Sequence, residues 1–145
     1  RQGAARALLR ALRRGETIAL VLDQNTRPSR GGMFVDFFGL PATMSTAGAL
    51  LAHRTQTELF FGFCRREADG GYCAYSPGTL LPGPLRRDRI DEDVAALTQR
   101  IAGVFEREIL AQPEAWMWMY KRWKRIRPGD SPSRYPRYST PLPPD

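Results

Sequence analysis

The chain has 145 residues, 42% of them hydrophobic and 26% charged, and a formal net charge of +7. This length supports one domain with one core, and no stretch reaches the roughly 18 apolar residues of a bilayer-spanning helix. The positive balance admits nucleic acid, anionic membrane or acidic substrates as partners, while two cysteines and one histidine exclude a usual zinc set. All but two of the 22 basic residues are arginines, whose planar fork suits phosphate as well as reflecting a GC-rich genome.

The sequence lacks an initiator Met and opens at Arg1 inside a basic amphipathic segment with no apolar signal region, which reads as a piece of a longer protein. Ala4 to Arg14 is expected to be a helix, with Leu8, Leu9 and Leu12 as its apolar stripe and Gly15 as its stop. Thr17 to Leu22 is short and apolar throughout, the pattern of a central strand in a covered sheet. Asp23 and Gln24 end it. Asn25 to Gly32 is a loop carrying Arg27, Arg30 and two glycines, and Met33 to Phe38 is a short strand.

Thr43 to Arg54 is expected to be a helix with small packing residues. Glu58 to Arg65 reads as a strand, and Asp69-Gly70-Gly71 turns it back into Tyr72 to Tyr75 as a hairpin. Cys64 and Cys73 then lie on neighbouring strands as small core residues, with a disulfide as the other reading. Asp91 to Ala111 is the clearest helix: Val94, Leu97, Ile101, Phe105 and Ile109 share one face, and three carboxylates open it. Pro113 starts a further helix, Glu114 to about Trp123. Residues 128–145 hold six prolines and read as an extended or disordered tail beyond a domain spanning 1–127. Strands alternating with helices give an α/β class, a mixed β-sheet flanked by helices.

Three constellations bear on function. Asp23 at a strand end needs a polar partner, and Arg27 and Arg30 can serve it or a phosphate; a capped surface loop is the plain alternative. Phe34, Phe37 and Phe38 are core residues or the wall of an acyl-chain channel. On a helix, Trp116, Met119, Tyr120 and Trp123 would share one face, with Lys121, Lys124 and Arg125 around it. That arrangement fits a membrane interface through Trp116, Tyr120, Trp123 and Lys124, a helix docked on the core, or stacking on single-stranded nucleic acid. His53, near a helix end, reads as structural. No nucleophile elbow or nucleotide-binding loop is present, and no motif beyond charge supports nucleic acid.

Four stretches together resemble the C-terminal half of the lipid A biosynthesis acyltransferases, a family within the lysophospholipid acyltransferase superfamily. They are GETIALVLDQ (15–24), GMFVDFFGLPAT (32–43), FCRREADGGY (63–72) and PEAWMWMYKRWK (113–124). The resemblance implies a glycerolipid acyltransferase-like fold with its N-terminal part missing. It implies transfer of a fatty acyl group from acyl carrier protein to a hydroxyacyl chain of a lipid A precursor, at the cytoplasmic face of the inner membrane, with no cofactor or metal. The family's general-base pair has the pattern H-x-x-x-x-[DE] and stands before the Asp23-Gln24 block; His53 to Glu58 lies after that block and is not taken for it, so no catalytic residue is assigned. By that analogy the pair is expected upstream of Arg1, roughly 100 residues before Asp23. Asp23, Gln24 and Arg27 match in place the acceptor-phosphate loop of related glycerolipid acyltransferases and are the substrate-binding candidates. Arg30 joins them on charge, and Phe34, Phe37 and Phe38 as apolar wall. The alternative is a non-catalytic basic module that binds anionic membrane through the segments Arg1–Arg14 and Trp116–Arg127.

Overall fold

The structure, a computed structural model, describes residues 2–143. Arg1 lies outside the described residues. The last two residues of the Pro-rich segment, 144–145, lie outside them as well. Helix α1 (Gln2–Arg13) is followed by an irregular segment, then the hairpin of β1 (Gly32–Phe37) and β2 (Leu40–Ser45). Helix α2 (Ala47–Thr55) leads to four short strands: β3 (Leu59–Phe60), β4 (Phe63–Arg66), β5 (Tyr72–Tyr75) and β6 (Thr79–Leu80). Helix α3 (Ile90–Ala111) is the longest element, and β7 (Arg125–Ile126) and β8 (Thr140–Pro141) come last. The chain is thus mixed α/β. Among the described residues the strands form four separate two-stranded pairs instead of one mixed sheet.

The core lies between the β1–β2 hairpin and helices α2 and α3. Val35, Phe37, Ala42 and Met44 from the hairpin meet Ala49 and Ala52 of α2 and Leu97, Ile101, Ala102, Val104 and Ile109 of α3. The 3.6-residue periodicity of α3 produces this stripe directly. Gln99 fastens α3 to the edge of β1, accepting from the Asp36 N–H at 2.8 Å and donating to the Asp36 carbonyl at 2.9 Å.

The hairpin turns on two residues, Phe38 and Gly39, both at positive φ (54° and 71°). A two-residue turn of this hand matches the twist of the flanking strands. Gly39 adopts it freely. Phe38 is held there by an N–H bond to the Glu106 carboxylate and by edge-on contact with Phe37, with ring centroids 4.9 Å apart. Gly32, at the other end of β1, has no room for a side chain: a Cβ would lie 1.9 Å from the Thr26 carbonyl oxygen.

Several expectations need correction. Thr17–Leu22 forms no strand, and Leu20 and Val21 are exposed, because among the described residues no neighbour hydrogen-bonds to this segment. The Glu58–Arg65 strand is broken at Phe61-Gly62, so its two halves pair with different partners. Strand β2 occupies the start of the expected Thr43–Arg54 helix; the helix begins only at Ala47. Glu114–Trp123 is not a helix: after a single 3₁₀ turn at Pro113–Ala115 the chain runs as successive turns. Cys64 and Cys73 do sit on paired strands, but Cys64 is exposed, Cys73 half-buried, and both are free thiols.

The Pro-rich segment also has fixed structure over its described residues. Strand β8 pairs in parallel with β7. Tyr135 is buried, donating its hydroxyl to Asp130 at 2.6 Å and accepting from the Arg127 N–H. The only helical element among its described residues is a single 3₁₀ turn at Pro132–Arg134, and the buried Tyr135 anchors the return.

Candidate functional site

Two segments far apart in sequence meet at one corner: Asn25–Arg27, just after the irregular stretch, and Tyr120–Arg125. Asn25 joins them. Its backbone N–H donates to the Tyr120 hydroxyl at 2.7 Å and its side-chain amide to the Lys121 carbonyl at 2.8 Å. Its Oδ1 accepts from the Thr43 hydroxyl and from Arg122 Nη1, each at 3.3 Å. Arg122 lies beneath with 2% of its surface exposed, its guanidinium donating to the Thr43 carbonyl at 2.6 Å and resting 4.8 Å from the Phe37 ring centre.

Burial pushes the Arg122 guanidinium below its ordinary pKa, while the neighbouring charges of Tyr120 and Asp23 act the other way. No carboxylate bonds it directly, and its Nε and Asp23 Oδ1 are both buried without a hydrogen-bond partner.

Above this support is an open pocket of about 430 Å³, lined by Asn25, Arg27, Thr43, Met119, Tyr120, Lys121, Lys124 and Arg125. Four cations and no carboxylate line it. Among the described residues none of those four cations forms an ion pair. Such a concentration of cations against a fixed hydrogen-bonded wall can hold an anion, and the Arg fork and lysine point charges are chemically suited to phosphate.

The sequence candidates divide. Arg27 and Lys124 line the pocket and Tyr120 both lines and braces it. Asp23 stands half-buried behind it; Gln24 and Arg30 are exposed and do not line it. Phe37 is core. Phe34 and Phe38 are half-buried, and none of the three phenylalanines lines either cavity described here. Trp116 and Trp123 pack against the core, Trp123 donating its indole N–H to the Phe37 carbonyl at 3.2 Å. Sequence reasoning missed Asn25, Thr43 and Arg122 as supports and Lys121 and Arg125 as lining. The available signal was an Asn flanked by site candidates and one Arg inside an aromatic run.

A second cavity, about 660 Å³ and mainly apolar, opens between the Thr17–Leu22 segment, α2, Leu59–Phe63 and α3, with Leu22, Leu51, Phe61 and Phe105 among its walls. His53 is fully buried elsewhere, its Nε2 3.2 Å from Asp93, which also binds Arg86. It braces α2 against α3 and reaches neither cavity. No group of three metal-ligating side chains forms among the described residues, and no helix there is long and apolar enough to cross a membrane.

The family of bacterial lipid A biosynthesis acyltransferases matches residues 1–125. The chain is 29% identical over 132 residues to the lipid A biosynthesis lauroyltransferase of Escherichia coli K12, covering 90% of this chain and 40% of that protein. It is 32% identical over 117 residues to a phosphatidylinositol mannoside acyltransferase of Mycobacterium tuberculosis, covering 80% and 34%. A lipid A biosynthesis acyltransferase of Haemophilus influenzae is 28% identical over 134 residues, covering 90% and 40%. The chain therefore spans about two fifths of the length of these relatives or less. On the extent of the family match, this chain belongs to the bacterial lipid A biosynthesis acyltransferases.

Proposed function

We propose that this chain forms the acceptor side of an acyltransferase that moves a fatty acyl group from acyl carrier protein to a hydroxyacyl chain of a lipid A precursor. The protein would work at the cytoplasmic face of the inner membrane, on a glycerolipid acyltransferase-like fold. The observation that carries the reading is the convergence of Arg27 with Lys121, Lys124 and Arg125 on one carboxylate-free pocket in a member of an acyltransferase family. A phosphorylated glycolipid brings the anion such a pocket needs. Arg27, the residue matched to the acceptor-phosphate loop, offers two parallel donors, and the lysines supply charge without fixed geometry.

The chemistry of acyl transfer needs a base on the acceptor hydroxyl. His53 does not serve: it is wholly buried and engaged with Asp93. The base is assigned to a His/acid pair upstream of Arg1, outside this sequence, and the residues here bind and orient. The mainly apolar cavity against Leu22 and Phe61 is chemically suited to hydrocarbon.

A second acceptor is favoured by a specific observation, the 32% identity to a phosphatidylinositol mannoside acyltransferase. That lipid also carries an anionic phosphate and would enter the same pocket. A non-catalytic membrane module is not favoured, since the relatives compared are acyltransferases by name. The experiment is acyl transfer by the gene product containing these residues, offered a lipid A precursor and phosphatidylinositol mannoside in parallel. Turnover of the first alone supports the main reading, turnover of the second alone replaces it, and turnover of neither overturns both.

A further inference from the structure

Helix α1 carries Arg6, Arg10 and Arg13, four and then three residues apart, a spacing that sets them along one side of the helix. All three are exposed, and α1 holds no acidic residue. Among the described residues none of the three forms an ion pair, while the adjacent Arg14 is engaged by Glu16 at 2.6 Å. A ridge with this spacing is about 10 Å long. The other side of α1 faces the molecule: Leu8, Leu9 and Leu12 are half-buried, and the helix packs against α2. Beside its arginines α1 leaves Ala4, Ala5 and Ala7 in solvent and no large apolar side chain. Alanines let a second helix approach closely, but they offer nothing to enter a bilayer.

Leu12 connects this ridge to the apolar cavity. It lines that cavity together with Leu22, Leu51 and Phe61, and it is the immediate neighbour of Arg13 in the chain. The cavity is open to solvent, because Leu20 and Phe60 of its wall are 38% and 73% exposed. One short helix thus has a cationic ridge on one side and the wall of an apolar opening on the other. A partner matched to both presents carboxylates to the ridge and hydrocarbon to the cavity. Nucleic acid brings no hydrocarbon, and a bilayer needs an apolar anchor that the exposed side of α1 lacks. An acidic protein that carries an acyl chain has both properties.

We propose that α1 is the docking surface for the protein that carries the acyl donor, with an acidic helix of that carrier lying along Arg6, Arg10 and Arg13 and its acyl chain passing Leu12 into the apolar cavity. The proposal rests on the reading of this chain as part of an acyltransferase and adds which surface receives the donor. Carboxylates three and four residues apart on the carrier helix meet the arginines in register. Pairs of this kind stay at the solvent-exposed rim of an interface, so they act mainly on the rate of encounter and weaken with salt. Donor and acceptor are then held by different charges, the carrier by α1 and the acceptor by the pocket around Arg27 and Lys121.

The test uses the gene product containing these residues and two donors, lauroyl–acyl carrier protein and lauroyl-pantetheine, a neutral thioester with no protein attached. It reads the two donor KM values and, separately, the binding of fluorescently labelled lauroyl–acyl carrier protein. The triple variant Arg6→Ala/Arg10→Ala/Arg13→Ala removes the charge and keeps the helix propensity. It is expected to raise the carrier-bound donor's KM relative to that of lauroyl-pantetheine about tenfold, and to weaken carrier binding to the same extent, with both differences shrinking at high salt. Arg6→Lys/Arg10→Lys/Arg13→Lys is expected to restore most of the carrier binding. An equal loss with both donors overturns the proposal and leaves α1 a packing element only. Carrier binding unchanged in the alanine variant overturns it too, and a loss confined to phosphatidylglycerol vesicles assigns the ridge to the membrane instead. The titration needs no turnover: carrier binding that depends on these arginines, in a protein that acylates no acceptor, supports the docking surface and contradicts only the acyltransferase reading. No carrier binding by the unaltered protein overturns the docking.

Discussion

Arg122 is the largest fully buried side chain among the described residues, and it carries a charge. Burying a guanidinium is unfavourable unless its donors are met; here Nη1 bonds the Thr43 carbonyl and Asn25 Oδ1 and the plane rests on the face of Phe37, while Nε stays without a partner. Arg122→Ala should lower stability by about 2–3 kcal/mol in urea unfolding, the worth of hydrogen bonds to a charged group plus the packing of its stem. Asn25→Ala should cost about 1–3 kcal/mol, because it leaves Thr43 and Arg122 short of an acceptor. It should also weaken phosphate binding, since Asn25 ties the two walls of the pocket together; a stable variant with unaltered phosphate binding would contradict that role. Sequence alone showed Arg27 and Lys124 as site candidates because charge type is visible in letters. The supports were hidden, because a hydrogen bond between residues 25 and 122 leaves no spacing pattern.

At the scale of elements, the brace between α2 and α3 is ionic at its edge. The hydrogen bond from Arg86 holds the Asp93 carboxyl below the usual carboxylate range, burial opposes it, and His53 adds to it. A carboxyl with a depressed folded-state pKa binds its proton less readily folded than unfolded. Its contribution is therefore full above about pH 4 and is lost as pH falls through the folded value. Asp130, depressed by the Tyr135 hydroxyl and then by Arg127, acts in the same direction. Asp93→Asn should accordingly flatten the acid limb of a stability–pH curve, and an unchanged limb would remove this pair as its cause. Helix α3 was legible because its apolar stripe repeats over 22 residues, and the β4–β5 hairpin because Asp69-Gly70-Gly71 marks its turn. Thr17–Leu22 misled, since an apolar run states burial preference but not a hydrogen-bonding partner. Trp116–Trp123 misled in another way: with so many large residues, several happen to fall at helical spacing.

At the scale of the whole molecule, the Pro-rich segment is part of the fold. Strand β8 lies on β7, and Tyr135 is buried against the turn that follows. Removing residues 129–145 should lower the melting temperature by several degrees, consistent with losing one buried aromatic and its hydrogen bonds; an unaltered melt would show that the segment packs without stabilising. The molecule then presents one organised corner, where the Asn25–Arg27 loop and the Tyr120–Arg125 turns are fixed against the β1–β2 hairpin by Arg122 and Trp123. That corner is the basis for assigning this chain the acceptor side of acyl transfer. The most direct measurement is steady-state acyl transfer by the gene product containing these residues, with the phosphorylated acceptor varied and Arg27→Ala/Lys121→Ala compared with the unaltered protein. The account predicts an acceptor KM raised roughly tenfold or more with the donor KM unchanged, as expected for loss of charge-assisted hydrogen bonds to phosphate. An unchanged acceptor KM, or a loss confined to the donor, would contradict it.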